Sequence, residues 1–486
     1  MLEDHSEGRR WVLLGAAALA LRTAGAVVRP PWHDEYFTVW AAGLPWRDLL
    51  AALRVDSGPP FIYAVTKVLA ATGMTPLGAA RAVAVIAGVA AVLLGAAAAR
   101  RAFGVAAGWW TGALLAVHPL ALAWSCEGRA YALLLAAAAW GWERLESLAH
   151  RERGAIGLAL AVALGCWSHA FGLVLAGALA LAALTLARRR RVIALAAIFV
   201  GLVSHLPWLP VALSQPPAAT AWMQQAWRTM PTLERALAPV RLLPPVAPFG
   251  NQTGLPTPLP ASQIGAAALC LVLLLASSAS PRAWLLLVAP AAGLTGLAVL
   301  GAPAFYGSRG EALFLVPAMA LLASATVKAR ALRIVAALLV AGGAAVSAFA
   351  LRDWQQRPPS GEARLAAAIM QTLPKGGTIV VGGYWRLGIW YHLGPSSNRF
   401  AIVSYPVEAA AHPGWYEPAV DRPGAAELGE LARRLATEAP RTALVLNPSL
   451  PTDRDLRELA RDLGLRPALA VTGGELFVPR QPSSPP

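Results

Sequence analysis

Two adjacent carboxylates, Asp34 and Glu35, stand in the segment RPPWHDEYFTVW, just past an apolar stretch that Pro30-Pro31 closes. An acid beside a membrane is costly unless it has work or a partner. One reading makes Asp34 a general base at the water–lipid boundary, with Glu35 in support. The other makes both solvated acids of an interfacial loop, belted by His33, Tyr36 and Trp40. A second cluster, WSCEGRAYALL, sets Glu127 two residues before Arg129, with Tyr131 opening the next apolar stretch. It reads either as a short ion pair capping two helices or as a working pair. In the working pair Glu127 joins Asp34, and Arg129 meets an anionic group. Lys67 and Arg309 are the further cations expected on that surface, and each alone also reads as a snorkelling side chain.

The elements that must carry these groups are membrane helices. The chain has 486 residues, of which 57% are hydrophobic and 14% charged. A soluble chain runs at about 45–50% and about 25%, so purely soluble and disordered classes are excluded. Thirteen of the 26 acids lie in residues 1–350 and thirteen in the last 136. Residues 1–350 are therefore read as a membrane domain and 351–486 as a water-exposed one. Three cysteines exclude a disulfide framework. The net charge of +15 is mostly arginine. It reports orientation and contact with membrane lipid, not nucleic acid, because no basic cluster is interleaved with aromatics.

A span takes about 20 mostly apolar residues. The hydropathy pattern gives about eleven: 11–29, 79–99, 105–121, 130–149, 154–170, 171–187, 192–213, 262–279, 282–300, 311–327 and 331–350. The stretch Phe61 to Gly73 is short and carries Lys67. If it does not cross, the clusters Arg9-Arg10, Arg100-Arg101, Arg151/Arg153, Arg188 to Arg191, Arg282 and Lys328/Arg330/Arg333 all share one side. It is therefore read as an interfacial helix, with the N-terminus cytoplasmic and the C-terminal domain extracytoplasmic. Ala24-Gly25-Ala26 has the look of a cleavage site, but Arg22 interrupts the stretch, so an uncleaved anchor is expected. The expected outer features are Pro30 to Gly78, Ala123 to Arg129, Ser214 to Pro260 with Trp222 and Trp227, and Ala302 to Glu311. The sequon Asn251-Gln252-Thr253 carries little weight.

The tail alternates helix and strand. Helices are expected over Arg364–Leu373, Ala425–Thr437 and Asp453–Leu463, with strands at Thr378–Gly382, Ile402–Tyr405, Thr442–Leu446 and one or two within Ala468–Val478. The fold class is thus an α-helical polytopic membrane protein with a small extracytoplasmic α/β domain. The tail has no GxGxxG, no P-loop and no metal-spaced Cys/His set, and reads as a lid or acceptor-docking module.

In order, the chain carries a first span, HDEYFTVWAAG, SGPPFIYAVTKVLAATG, AARAVAVIAGVAAV and the turn PLALAWSCEGRAYALLL. This order resembles the GT-C membrane glycosyltransferases of the protein O-mannosyltransferase and aminoarabinose transferase type. WSHAFG at 167–172 is similar to their Thr/Ser-His-aromatic turn, which brings in His169, and Tyr63 falls in the Pro-Pro-x-x-Tyr element. The resemblance covers about residues 10–350 and is strongest over 30–135.

The resemblance implies glycosyl transfer at the outer face from a polyprenyl-phosphate sugar donor to a glycan, lipid or protein acceptor. The family's base maps onto Asp34, and Glu127 and Arg129 match the second outer turn. Tyr63, Lys67, Arg129, Tyr131, His169 and Arg309 are the expected substrate-binding set. Some relatives bind a divalent metal through a Glu beside the Pro-Pro element and a downstream His. Here Asp56-Ser57-Gly58 precede Pro59, with His169 or His205 downstream, so no metal ligand is assigned and a divalent metal stays open. The rival classes are a lipid or sugar transporter, or flippase, and a non-catalytic scaffold. Transporters place ionisable groups near mid-membrane, whereas the notable acids here are in outer loops.

Overall fold

A computed structural model describes residues 2–56, 58–151, 153–215, 224, 227–232, 235, 261–301, 309–383, 385–407, 425–448, 450 and 452–480. Trp222, Glu234, the sequon and most of the expected fourth outer feature lie outside the described residues. The chain divides into two compact units. The first comprises Met1–Arg29, Gly58–Ser214 and Trp222–Gln356; the second comprises Pro30–Ser57, Gln215–Ala221 and Arg357–Pro486. The acidic loop thus belongs with the C-terminal segment, where the sequence grouped it with the helices.

The first unit is built of α1 (Leu2–Val28), α4 (Phe61–Ala70), α5 (Pro76–Phe103), α6 (Val105–Val117), α7 (Pro119–Ser125), α8 (Tyr131–Arg151), α9 (Ala155–Ser168), α10 (Gly172–Ala183), α11 (Arg188–Val203), α12 (Leu209–Ser214), α13 (Ala261–Leu275), α14 (Pro281–Val299), α15 (Leu315–Ala325) and α16 (Arg330–Gln356). The intervening α2 (His33–Gly43) and α3 (Trp46–Val55) belong to the second unit. Alanine and leucine dominate the helices of the first unit, and both are strong helix formers. Thr75 caps α5 by accepting from Gly78 N at 3.2 Å, and Pro76 opens it; Ser280 and Pro281 do the same for α14.

Among the described residues, five helices are long and apolar enough to cross a bilayer: α1, α5, α14, α11 with its continuation to Ser214, and α16. The bent pair α6–α7 makes a sixth. Eleven spans are expected from hydropathy. Of the others, α9, α10 and α15 are apolar but only 14, 12 and 11 residues long, and α8 carries Glu143 and Glu146. The chain is a multi-pass membrane protein. Helix α4 has 10 residues, or about 15 Å of rise against a hydrocarbon core of about 30 Å, half of what a span requires.

One buried charge in the first span is explained by a proline. Helices α6 and α7 meet at 63° across His118-Pro119. Pro119 has no N–H to give Leu115 O, and Leu120 N turns instead to His118 Nδ1 at 3.2 Å, which leaves Ala116 O without its helical donor. Arg22, wholly buried, fills both vacancies: Nη2 donates to Leu115 O and Nη1 to Ala116 O, each at 3.2 Å, while Nε donates to Ser125 Oγ at 3.1 Å. Ser347 donates to Val117 O at 2.9 Å. Arg22 is therefore a structural clamp of α1 on the bend.

The bundle has two distinct ends. At one, Arg100 pairs with Glu7 at 2.6 Å, Arg101 with Glu143 at 2.5 Å and Arg282 with Glu146 at 2.8 Å; Arg190 donates to Ala149 O. These contacts join the start of α1, the ends of α5 and α8, and the starts of α11 and α14. At the other end, Arg81 at the start of α5 donates to Ala26 O at 2.6 Å and Arg29 O at 2.8 Å, holding the last carbonyls of α1. Trp354, in the last turn of α16, lies 5.3 Å from the Arg29 guanidinium.

The C-terminal part of the second unit is a five-stranded sheet covered on both faces. Strands β1 (Gly377–Gly382), β2 (Phe400–Tyr405), β3 (Thr442–Leu446), β4 (Arg466–Val471) and β5 (Gly474–Val478) run in the order β2-β1-β3-β5-β4. β1 is parallel to β2 and β3; β5 is antiparallel to β3 and β4. Successive residues of β1 face opposite ways, as a pleated strand requires. Ile379 and Val381 pack with α17 (Gly361–Thr372) and α18 (Trp385–Leu393). Val380 packs with α19 (Ala425–Ala436) and α20 (Asp453–Asp462). Helix α18 has no counterpart in the sequence reading. Gly388 lets it approach α17, because a Cβ there would lie 2.3 Å from Glu362 Cγ. Helix α2 packs against α18 within this unit.

Candidate functional site

Asp34 and Glu35 occupy the first turn of α2, where the helix dipole favours carboxylates. Glu35 is wholly buried and Asp34 is partly exposed, so of the two Asp34 is the one that can meet a substrate. Thr38 Oγ1 donates back to Asp34 O at 3.0 Å. Tyr36, 1% exposed, donates its hydroxyl to Pro31 O at 3.1 Å and lies 2.9 Å from His392 Nε2. Burial, then the nearby Glu362 carboxylate, push the Tyr36 phenol above its ordinary range, so it stays protonated. Burial holds the His392 ring below the usual histidine value, opposed by Glu362.

Glu127 is buried in the turn between α7 and α8, and a partner of its carboxylate comes from outside the WSCEGRAYALL cluster. Arg29 Nη2 donates to Glu127 Oε2 at 2.9 Å, and Arg29 Nη1 donates to Ala123 O at 2.7 Å. The pair ties the end of α1 to the α7–α8 turn. Arg29 and Arg81 were passed over in the sequence because each was read with its apolar stretch. The available signal for Arg29 is its place at the C-terminal end of the first span, directly before Pro30-Pro31.

Arg129 turns to α4. Its Nη1 donates to Tyr63 Oη at 3.0 Å, and the guanidinium carbon lies 5.8 Å from the Tyr63 ring centroid. Tyr63 is buried behind Pro59-Pro60, at the start of α4. A second guanidinium, Arg309, stands 5.5 Å over the Tyr131 ring, and Tyr131 is 5.8 Å from His169. His169 Nδ1 accepts from Phe171 N at 3.1 Å, so a neutral ring carries its proton on Nε2 as a donor. The fold thus brings together Tyr63, Arg129, Tyr131, His169 and Arg309 from four separate stretches. Lys67 sits one turn beyond Tyr63 on α4, partly exposed. Two planar cations, each held on a tyrosine, beside an N–H donor make a cradle suited to a phosphate.

Among the described residues no group of three or more His, Cys, Asp or Glu is placed to hold a metal ion. His205 lies edge-on 5.5 Å from Trp167.

No family model matches the chain, and no curated protein matches it in sequence. Solved structures do match in fold. The structure of ArnT from Cupriavidus metallidurans bound to undecaprenyl phosphate superposes with a TM-score of 0.59 at 15% identity, covering 96% of this chain and 97% of that one. The same protein in the apo state gives 0.53 at 16% identity with the same coverage. The apo oligosaccharyltransferase of Archaeoglobus fulgidus gives 0.51 at 13% identity, covering 99% of this chain and 75% of that one. The chain has the fold of these membrane proteins, the GT-C fold that the motif order implies.

Proposed function

We propose that the chain is a membrane glycosyltransferase that moves a sugar from a polyprenyl-phosphate donor to an acceptor at the outer face of the cytoplasmic membrane. The observation that carries this reading is the pair of tyrosine-held guanidiniums, Arg129 on Tyr63 and Arg309 over Tyr131, with the His169 ring 5.8 Å from Tyr131. The undecaprenyl phosphate bound to ArnT supplies the donor class.

In this reading the acceptor's heteroatom attacks the anomeric carbon while the bond from that carbon to the phosphate oxygen breaks. The attacking atom gives its proton to the Asp34 carboxylate, and the polyprenyl phosphate leaves with the electron pair. Arg129 and Arg309, with Lys67 in support, hold the charge that develops on the phosphate. Fixed cations in a poorly hydrated site act more strongly than in water. His169 Nε2–H and the Tyr63 and Tyr131 side chains orient the head group. A single displacement inverts the anomeric centre, with base and leaving group on opposite faces of the sugar. Glu35 supports the acid turn from its buried position. Glu127, paired with Arg29, is assigned to structure and not to proton transfer.

The basic end of the helical unit, with Arg100, Arg101, Arg190 and Arg282, is assigned to the cytoplasm by the positive-inside rule. The end carrying Arg29, Arg129 and His169, where α16 finishes, is then extracytoplasmic, and the C-terminal domain with it. The test is transfer of sugar from a polyprenyl-phosphate donor by purified enzyme and by Arg129 and Asp34 variants. Loss in both classes supports the reading, and a transfer rate indifferent to both removes it.

A further inference from the structure

We infer that His392, in the C-terminal segment, is a positioning residue for the acid-bearing turn of α2 and acts on Asp34 through Tyr36. The inference rests on the reading of Asp34 as the base. It gives the C-terminal segment a part in the reaction beyond the lid or docking role that its sequence suggests.

A count of protons fixes the geometry. The Tyr36 hydroxyl has one proton, and Pro31 O, at 3.1 Å, can only accept it. The phenol oxygen is then the acceptor for His392 Nε2–H at 2.9 Å. The histidine is thereby held as the Nε2–H tautomer. Ser360 Oγ, which caps α17 by accepting from Ala363 N at 3.2 Å, stands 3.5 Å from the same Nε2. Rings enclose the tether: Tyr391 is 4.9 Å from Tyr36, and His392 meets Tyr36 edge-on at 5.5 Å.

The tether brackets the acids. Pro31 precedes them and Tyr36 follows them, so the bond between these two residues closes a loop around Asp34 and Glu35, and His392 pins that loop from 356 residues away. Trp32, the residue at the N-cap of this turn, makes no side-chain cap, and the Pro31–Tyr36 bond ties the turn where a cap would. Tyr36 is 1% exposed, so water does not replace His392 there, and the phenol oxygen loses a donor while its own proton stays on Pro31 O. Loss of His392 is then felt at the start of α2, where Asp34 sits two residues from Tyr36.

The experiment has two readouts on the full-length protein in detergent or nanodiscs. The first is transfer kinetics of Tyr36→Phe, His392→Ala, His392→Gln and the double variant Tyr36→Phe/His392→Ala. Tyr36→Phe and His392→Ala each lower kcat about tenfold with the donor KM within about twofold, and the double variant is no worse than either single one. His392→Gln, whose amide N–H reaches the same place, recovers most of the loss. The second readout needs no activity: the rate at which a maleimide labels Asp34→Cys. The native Cys126, Cys166 and Cys270 are buried and give a low background. His392→Ala shifts that rate by about threefold or more, and His392→Gln restores it. Tyr36→Phe is the smallest change and the least able to unfold the protein. Parent-like kcat in Tyr36→Phe, or a labelling rate indifferent to His392→Ala, overturns the inference. If the parent enzyme transfers no sugar, the transfer reading fails on its own, while the labelling arm still decides the positioning.

Discussion

Arg29 Nη2 donates to Glu127 Oε2 across 2.9 Å, and this bond joins the last residue of the first helical segment to the turn that presents Arg129. The same guanidinium donates to Ala123 O and lies over Trp354, so three chain segments meet on one cation. Two residues beyond Glu127, the chain places Arg129 against Tyr63. The carboxylate fixes the turn, and the turn aims the cation.

Removing one partner of this buried pair leaves an uncompensated charge, which costs about 3–5 kcal/mol. Arg29→Ala and Glu127→Ala are both expected to lower the thermal midpoint of the purified protein clearly. Arg29→Met/Glu127→Leu should be more stable than either single charge deletion. Thermal unfolding of the four proteins side by side measures it. Single variants as stable as the parent would remove the pair's structural role.

Arg129→Ala is expected to lower kcat/KM for the lipid donor by about 100-fold, on the scale of losing a group that holds developing charge. Arg129→Lys should fail nearly as badly, because an ammonium reproduces neither the fork nor its seat on Tyr63. Tyr63→Phe should cost less, about threefold to tenfold, by freeing the guanidinium from its hydroxyl anchor. Arg309→Ala should behave like Arg129→Ala. The measurement is steady-state kinetics against donor concentration, and a donor response unchanged in both Arg variants contradicts the cradle.

The His392 ring has its pKa lowered in the folded state by burial, against the opposing pull of Glu362. Below the ordinary histidine value the unfolded chain binds more protons than the folded one, so stability is lost as the pH falls through that window. Above it the contribution is fully present. Tyr36 on α2, Ser360 and Glu362 on α17, and Tyr391 on α18 are the groups around this ring, and Glu35 acts on Tyr36. The thermal midpoint is expected to be flat from about pH 8 to pH 6.5 and to fall below that. The slope should be shallower in His392→Gln, and an identical slope in both proteins removes His392 as its source.

Much of this was legible in residue order. The acid pair after Pro30-Pro31, the Tyr63 element and the Arg129 turn were found as sequence, because each sits beside a helix break that proline or polarity marks. The β1, β2 and β3 strands were legible as short apolar runs, and β4 and β5 as the one or two strands within Ala468–Val478. Helix α18 was not. Its sequence WRLGIWYHL is aromatic and carries Gly388, so local propensity points away from a helix. What makes it one is burial of Trp385, Ile389 and Leu393 on the sheet, a tertiary effect. His392 was lost with it. The partner of Glu127 was missed because proximity in sequence favoured Arg129, whereas the fold brings Arg29 from 98 residues away.

Helix α4 is expected to lie at the outer interface, with Arg100 on the cytoplasmic side. In intact cells, a cysteine replacing Arg100 should resist an impermeant maleimide and react only after permeabilisation. A cysteine replacing Asp48, in the outer loop, should react from outside. Labelling of position 100 from outside alone overturns the topology, and with it the assignment of the cradle to the outer face.

The central claim is that Asp34 takes the acceptor's proton. Asp34→Asn keeps the size and hydrogen-bonding outline of the side chain and removes its basicity. Glu35→Gln, at a buried position, tests support and should cost less. The decisive measurement is kcat for sugar transfer from a polyprenyl-phosphate donor by purified Asp34→Asn, at matched folding and donor occupancy. The account predicts a fall of about 100-fold or more, on the scale of losing a positioned base, with donor KM little changed. Near-parental turnover by Asp34→Asn would contradict it.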